Sequence, residues 1–172
     1  MPAESDPVAA LIGAWETELP DVLGPSSELS KRIMVLSGLL AASTKTELAG
    51  FGLTAAEFDV LATLRRSGAP YRLKPNELSR SLLLSSGGTS NVINHLVAEG
   101  LVEREPDPGD GRSTLTRLTA RGIALAEEVV RAVAAAHEEL FGTVPPEVLR
   151  AATTALRDLQ VARVKKKTSM NA

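Results

Sequence analysis

Two short stretches carry side chains whose types and spacing suit contact with a nucleic acid. In "SSGGTSNVINH", residues 85–95, Asn91, Asn94 and His95 follow two serines and two glycines. An Asn carboxamide can pair in two places with adenine, and hydroxyls beside free backbone N–H groups can hold a phosphate. Ser85 and Ser86 are placed for the second task, and Gly88 permits close approach at a helix start. The second stretch, "EPDPGDGRSTLTRLT", residues 105–119, is charged and turn-rich, with Asp110 two positions before Arg112. An arginine at such a tip can enter a narrow minor groove, where negative potential concentrates. Arg104 and Arg117 flank it and are expected to touch phosphates. Taken alone, a polar helix face is wet surface and an Asp–Arg pair at a hairpin tip is a weak ion pair. The elements around them decide which reading holds.

Apolar residues recur at helical spacing along most of the chain. Val8, Leu11, Ile12, Trp15 and Leu19 mark a first helix, and Pro25 opens a second striped with Leu29, Ile33, Leu36 and Leu40. Thr54 and Glu57 have capping-box spacing ahead of Phe58, Leu61 and Leu64. Pro75 begins a fourth helix through about Leu82, and Ser85 or Ser86 caps a fifth that stops at Gly100. Helical period then lapses from Leu101 to Thr119, which suits a two-stranded hairpin. A long helix follows from Thr119, and a last one starts near Pro146 with Leu149, Ala152, Leu156 and Leu159 facing inward.

Two helices joined by a tight turn and followed by a hairpin make a winged helix-turn-helix. The expected fold is therefore mainly α with a small β-hairpin wing, flanked by N- and C-terminal helices. On a wheel of about 100° per residue, Thr89, Ile93, Leu96 and Val97 turn inward while Gly88, Asn91, Asn94, His95 and Ala98 turn outward. The stripes on residues 8–19, 29–40 and 149–159 exceed what one small lobe can bury, which predicts a homodimer.

Composition narrows the classes further. The chain has 172 residues, 44% of them hydrophobic, a formal net charge of −2, no cysteine and two histidines. No disulfide or thiolate metal site is available, and His95 and His137 lack zinc-ligand spacing. No nucleophile–base pairing or phosphate-cradling loop stands out, so neither an enzyme nor a cofactor is expected. The N-terminus lacks a basic segment followed by an apolar run, and no apolar stretch approaches membrane-spanning length, which predicts a cytoplasmic protein without membrane partners. Residues 74–121 hold six basic and six acidic side chains, so the DNA-reading module is formally neutral. That neutrality keeps open an effector-independent winged-helix module used for DNA architecture or protein contact.

"LTAAEFDVLATLRRSG" and "LKPNELSRSLLLSSGGTSNVINHLVAEGLVEREPDPGDGRSTLTRLTARG" together resemble the MarR family of transcriptional regulators, over about residues 29–142. The wing, an Asp-x-Arg followed by an alternating strand ending in Leu-Thr, is the most telling piece. The resemblance implies a homodimeric repressor on a pseudo-palindromic operator, with N-terminal helices over 1–52, a DNA-binding lobe over 53–121, C-terminal dimerisation helices over 122–164 and a disordered tail over 165–172. The helix before the dimerisation helix makes the chain similar to the urate-responsive, PecS-like subgroup. That likeness implies a ligand cleft using Trp15, Asp59 and Glu77, with Val92 where the subgroup has an arginine. Two acids without that cation predict weak urate binding and a neutral or cationic aromatic effector.

Overall fold

The computed structural model describes residues 6–82 and 86–170, leaving aside the side chains of residues 86, 87, 110–112 and 163–170. The chain divides into two compact units, residues 1–137 and 138–172. In order, the elements are α1 (Pro7–Glu18), α2 (Pro25–Gly50), α3 (Ala55–Arg66), β1 (Arg72–Leu73), α4 (Pro75–Leu82), α5 (Ser86–Ala98), β2 (Val102–Asp107), β3 (Asp110–Leu118), α6 (Ala120–Leu140) and α7 (Pro146–Met170).

Local chemistry explains where the helices start. The Asp6 carboxylate caps α1 by accepting from the Val8 and Ala9 N–H groups at 3.0 and 3.1 Å. At α3 the Thr54 N–H donates to Glu57 Oε2 at 2.7 Å, while the Glu57 N–H donates back to Thr54 Oγ1 at 3.3 Å. Both arms of the capping box are thus made, satisfying donors that a helix start would leave orphaned. Thr119 repeats the device for α6, accepting from the Gly122 N–H at 3.0 Å.

The main core gathers one face of each element of the lobe. Val60, Leu61 and Leu64 of α3 meet Leu78 of α4, Ile93 and Leu96 of α5, Leu101, Val102 of β2, Leu118 of β3 and Ala126 of α6. A second, smaller cluster joins Leu48 of α2 to Val129 and Val133 of α6. Gly122 is required where α6 crosses the strand entry, because a Cβ there would lie 1.9 Å from the Leu101 carbonyl oxygen.

Three sequence-based expectations change. The sheet has three antiparallel strands in the order β1-β3-β2, because Arg72 and Leu73 pair with Arg117 and Thr116. Two residues are too few to show alternation, so β1 leaves no mark in the apolar pattern. Val97, placed inward on the wheel, is 37% exposed, since it sits at the edge of the arc set by Thr89, Ile93 and Leu96. α7 continues through the lysines to Met170 instead of giving way to a disordered tail. Lysine is a good helix former, and cations near a helix C-terminus complement its dipole.

Outside the lobe the stripes stay uncovered. Leu29, Ile33, Met34, Val35, Leu36 and Leu39 of α2 are 39–64% exposed in the single chain. On α7, Val148, Leu156, Leu159 and Val161 are exposed as well, so the stripe expected to face inward is not buried within one chain.

Candidate nucleic-acid interface

The helix-turn-helix pair is α4 and α5. Besides the shared apolar core, the Ser79 hydroxyl of α4 donates to Thr89 Oγ1 of α5 at 3.1 Å, and Thr89 is buried. With Thr89, Ile93 and Leu96 turned inward, Gly88, Asn91, Asn94, His95 and Ala98 are exposed on the opposite side. This is the arrangement the wheel predicts for all but Val97. Gly100, at φ +67°, ends the helix in the left-handed conformation, and the Leu101 N–H closes back onto the Leu96 carbonyl at 2.9 Å. Of the two capping serines, Ser85 lies outside the described residues, and Ser86 is described only by its backbone.

The wing is the β2–β3 hairpin, registered from Val102↔Leu118 to Pro106↔Thr114 with an irregularity at Asp107. Alternation along β2 sorts its charges. Glu103, Glu105 and Asp107 share one face, and each meets a cation. Arg72 reaches Glu105 at 2.5 Å, Arg117 binds both Glu105 (2.9 Å) and Glu103, and Lys74 reaches Asp107 at 2.6 Å. The Arg72 guanidinium holds the Glu105 carboxyl below its usual range, and the Lys74 ammonium with the Gly109 N–H does the same for Asp107. Arg117, expected from its sequence position to touch a phosphate, is here engaged by two carboxylates.

Arg104 lies on the other face of β2, the face of Val102, which packs in the core with α5. From there it donates to Asn94 Oδ1 at 2.6 Å. Arg80 and Arg121 likewise bond neutral oxygens, the Asn76 and Glu99 carbonyls. The module's formal neutrality is thus divided in space. Glu103, Glu105 and Asp107 are paired across the sheet, while among the described residues Arg80, Arg104 and Arg121 have no ion-pair partner within 4 Å. The expected Asp110–Arg112 pair falls on side chains outside the described ones, although their backbone begins β3.

His95 does more than face outward. Its Nδ1 lies 2.5 Å from Glu57 Oε1, tying α5 to the capping box of α3. Burial alone would raise the Glu57 carboxyl, but hydrogen bonds from Thr54 and from His95 outweigh it and hold the group below its usual range. Sequence reasoning missed this link because residues 57 and 95 meet only once three helices have packed.

The ligand residues expected from the resemblance are not gathered together. Asp59 lines a cavity of about 360 Å³ with Phe58, Ala62, Arg65, Arg66 and Val130. Trp15, Glu77 and Val92 are not among its lining residues. Trp15 is 46% exposed on α1, and Val92 packs partly buried against the main core. Glu77 serves α4 itself, its carboxylate accepting from the Lys74 N–H at 2.8 Å. Arg65 and Arg66 place two cations in the lining beside Asp59. Arg65 is held by Glu127 at 2.6 Å and stacks over Tyr71, with 4.7 Å to the ring centroid. Burial raises the Asp59 carboxyl, opposed by the charge of Arg66. Among the described residues no group of His, Asp and Glu could hold a metal ion, and no helix is long and apolar enough to cross a membrane.

This geometry agrees with relatives of known kind. A profile of the MarR family matches residues 51–113, which run from just ahead of α3 into the first residues of β3. The transcriptional regulator PecS of Dickeya dadantii is 32% identical over 123 residues, covering 72% of this chain and 74% of that protein. The chain belongs to the MarR family. It is thus a winged-helix, DNA-binding transcriptional regulator. Among solved structures, a mutant MarR from Escherichia coli complexed with operator DNA superposes at a TM-score of 0.67 with 25% identity, covering 84% of this chain and 96% of that one. Bordetella bronchiseptica BpsR, whose DNA binding is regulated by 6-hydroxynicotinic acid, gives 0.67 and 26%, covering 80% and 96%.

Proposed function

We propose that the protein acts in the cytoplasm as a homodimeric repressor on a pseudo-palindromic operator, from which a small aromatic molecule releases it. The observation that carries the DNA half is the outward row of Asn91, Asn94 and His95 on α5, flanked by a wing whose Glu103, Glu105 and Asp107 are paired with cations. In this reading α5 enters the major groove with Gly88, Asn91, Asn94 and His95 toward the bases. Ser85 and Ser86 meet a phosphate, and Arg112, oriented by Asp110, reaches the minor groove. Arg104 joins them from the wing. A dimer seated across a promoter blocks polymerase, which makes repression the natural outcome.

The uncovered stripes of α2 and α7 support the dimer, since apolar surface of this extent favours a second copy over water. Residues 1–52 and 122–164 would then be the dimerisation segments, and the lobe over 53–121 the reader. For the effector, the cavity beside Asp59 offers an aromatic wall in Phe58, an acid in Asp59 and a cation in Arg66. An aromatic ring bearing a donor for Asp59 and an acceptor for Arg66 fits it, as would a ring acid of the kind that regulates BpsR. Trp15, Glu77 and Val92 take part only if the two chains of a dimer bring them to that cavity.

The test is selection of duplexes from a random pool by the full-length protein, followed by light scattering of the complex. Two half-sites about 10 bp apart, bound by two chains, are expected. A monomer bound to an asymmetric site overturns the proposal. Hydroxylated aromatic acids should then lower affinity for that duplex, and Asp59→Asn should blunt their effect.

A further inference from the structure

The contact between Arg104 and Asn94 sets what the second asparagine of α5 can read. Arg104 carries only hydrogen-bond donors, so its 2.6 Å bond fixes the Asn94 carboxamide with Oδ1 turned to the guanidinium. The Nδ2 amino group is left as the free end. An asparagine that reads adenine in two places uses both halves of its amide, the oxygen accepting from N6 and the nitrogen donating to N7. Arg104 takes one lone pair of the Asn94 oxygen and holds that oxygen on the guanidinium side, so the amide end turned away from it is the Nδ2 donor. What it offers outward, together with the remaining N–H groups of Arg104, is a surface of donors alone.

We propose that Asn94 and Arg104 act as one composite reader of guanine. In the major groove guanine presents two adjacent acceptors, N7 and O6, whereas adenine and cytosine each present an amino group that would oppose a donor surface. Thymine offers a single acceptor. The proposal rests on the reading of α5 as the major-groove helix and names the base that part of it selects. A phosphate is also an acceptor, but Arg104 is distinguished from the other wing cations by its place. It lies on the face of β2 shared with Val102 and is tied to an exposed side chain of α5, while Arg72 and Arg117 are spent on Glu103 and Glu105 across the sheet. Asn91, one turn earlier on the same exposed face, carries no such tie among the described residues and keeps both halves of its amide for adenine. Three helical residues rise about 4.5 Å, close to one base-pair step, so the two asparagines address neighbouring pairs.

The experiment uses the full-length protein and the duplex it selects from a random pool. Each base pair of one half-site is varied in turn, and affinities are measured for the parent, Arg104→Ala, Asn94→Ala and Asn94→Asp. Thermal unfolding checks that each variant is folded, as exposure of both residues leads us to expect. The parent should lose about tenfold or more when one particular G·C pair becomes A·T or when its guanine becomes 7-deazaguanine. Arg104→Ala and Asn94→Ala should erase that preference at the one pair and leave the others intact. Asn94→Asp, which keeps a partner for Arg104 but removes the outward donor, should erase it too. If Arg104→Ala weakens all sequences equally and flattens the salt dependence, Arg104 is a phosphate contact and the proposal is overturned. Retained guanine preference in the variants, or adenine selected at the pair they affect, overturns it as well. A parent that selects no sequence at all removes the DNA-reading assignment of α5 itself.

Discussion

The lobe from α3 to the wing and the long helix α2 show equally clear apolar periodicity, yet they end in opposite states. In the lobe the stripe residues Leu61, Leu64, Leu78 and Leu96 have no exposed surface. On α2 the stripe residues Leu29, Ile33 and Leu36 remain about two-fifths exposed, and only Leu48, at the end that meets α6, is buried. Periodicity reports that a face wants burial. It does not say whether the partner is in the same chain. The lobe has elements on all sides and closes its own core, while α2 runs out beyond them.

The largest effects should separate these regions. Leu64→Ala opens a cavity in a fully packed site and should cost about 2–5 kcal/mol, independent of protein concentration. Leu36→Ala should leave the lobe's unfolding nearly unchanged but shift the proposed dimer toward monomer, read by sedimentation at several concentrations. If Leu36→Ala destabilises the chain as much as Leu64→Ala with no concentration dependence, α2 belongs to a single-chain core and the contrast fails.

A smaller effect probes the seam where the lobe meets α6. Gly122→Ala places its methyl group 1.9 Å from the Leu101 carbonyl oxygen and 2.9 Å from the carbonyl carbon. Both are backbone atoms, so no rotamer change relieves the clash and α6 must shift. A loss of at least about 1–3 kcal/mol in urea unfolding is expected, together with weaker operator binding as the wing moves. Gly142→Ala, outside the lobe, should be far milder, since its nearest neighbour would be 3.3 Å away.

The same contrast explains what could be read from the sequence. Helix starts were legible because their determinants are local. Thr54 with Glu57, Pro75 and Thr119 each act within one turn, and each begins a helix where expected. The inward and outward faces of α5 were legible for the same reason, apart from the borderline Val97. Contacts between distant residues were not. Arg104 with Asn94 and His95 with Glu57 depend on how elements pack, and no spacing rule announces them. The ligand residues came from likeness to a subgroup, and in the single chain only Asp59 among them lines the cavity built from one stretch of α3 and Val130 of α6.

At the next level down, the capping box of α3 offers a test within the lobe that depends on pH. Thr54→Ala removes the N-cap oxygen and one donor to Glu57, and should cost about 1 kcal/mol near neutrality. Glu57 has a lowered folded pKa, so its contribution is present above the ordinary carboxyl value of 4.5 and is lost as pH falls through the folded one. The gap between Thr54→Ala and the parent should therefore narrow in acid. A gap that stays constant from neutral pH to below 4 would show that the Glu57 charge contributes nothing.

The smallest effect has the opposite sign and belongs to Asp59. Burial raises its folded pKa above the usual 3.8, with Arg66 only partly offsetting it. Well below 3.8 the carboxyl is protonated in both folded and unfolded chains and makes no difference. As pH rises past that value the unfolded chain ionises first, and the equilibrium is drawn toward unfolding until the folded carboxyl ionises as well. At neutral pH Asp59 is therefore a cost to the fold, unlike Glu57, Glu105 and Asp107, whose lowered values mark carboxylates the fold holds in place. Asp59→Asn should be as stable as the parent or slightly more so at pH 7, and the difference should fade toward pH 4. An acid held in a cavity against stability is what the proposed effector site calls for. Urea midpoints at the two pH values decide the matter. A clear loss of stability in Asp59→Asn at pH 7 would mean that Arg66 holds the carboxylate as a structural pair, and the case for an effector site in that cavity would go with it.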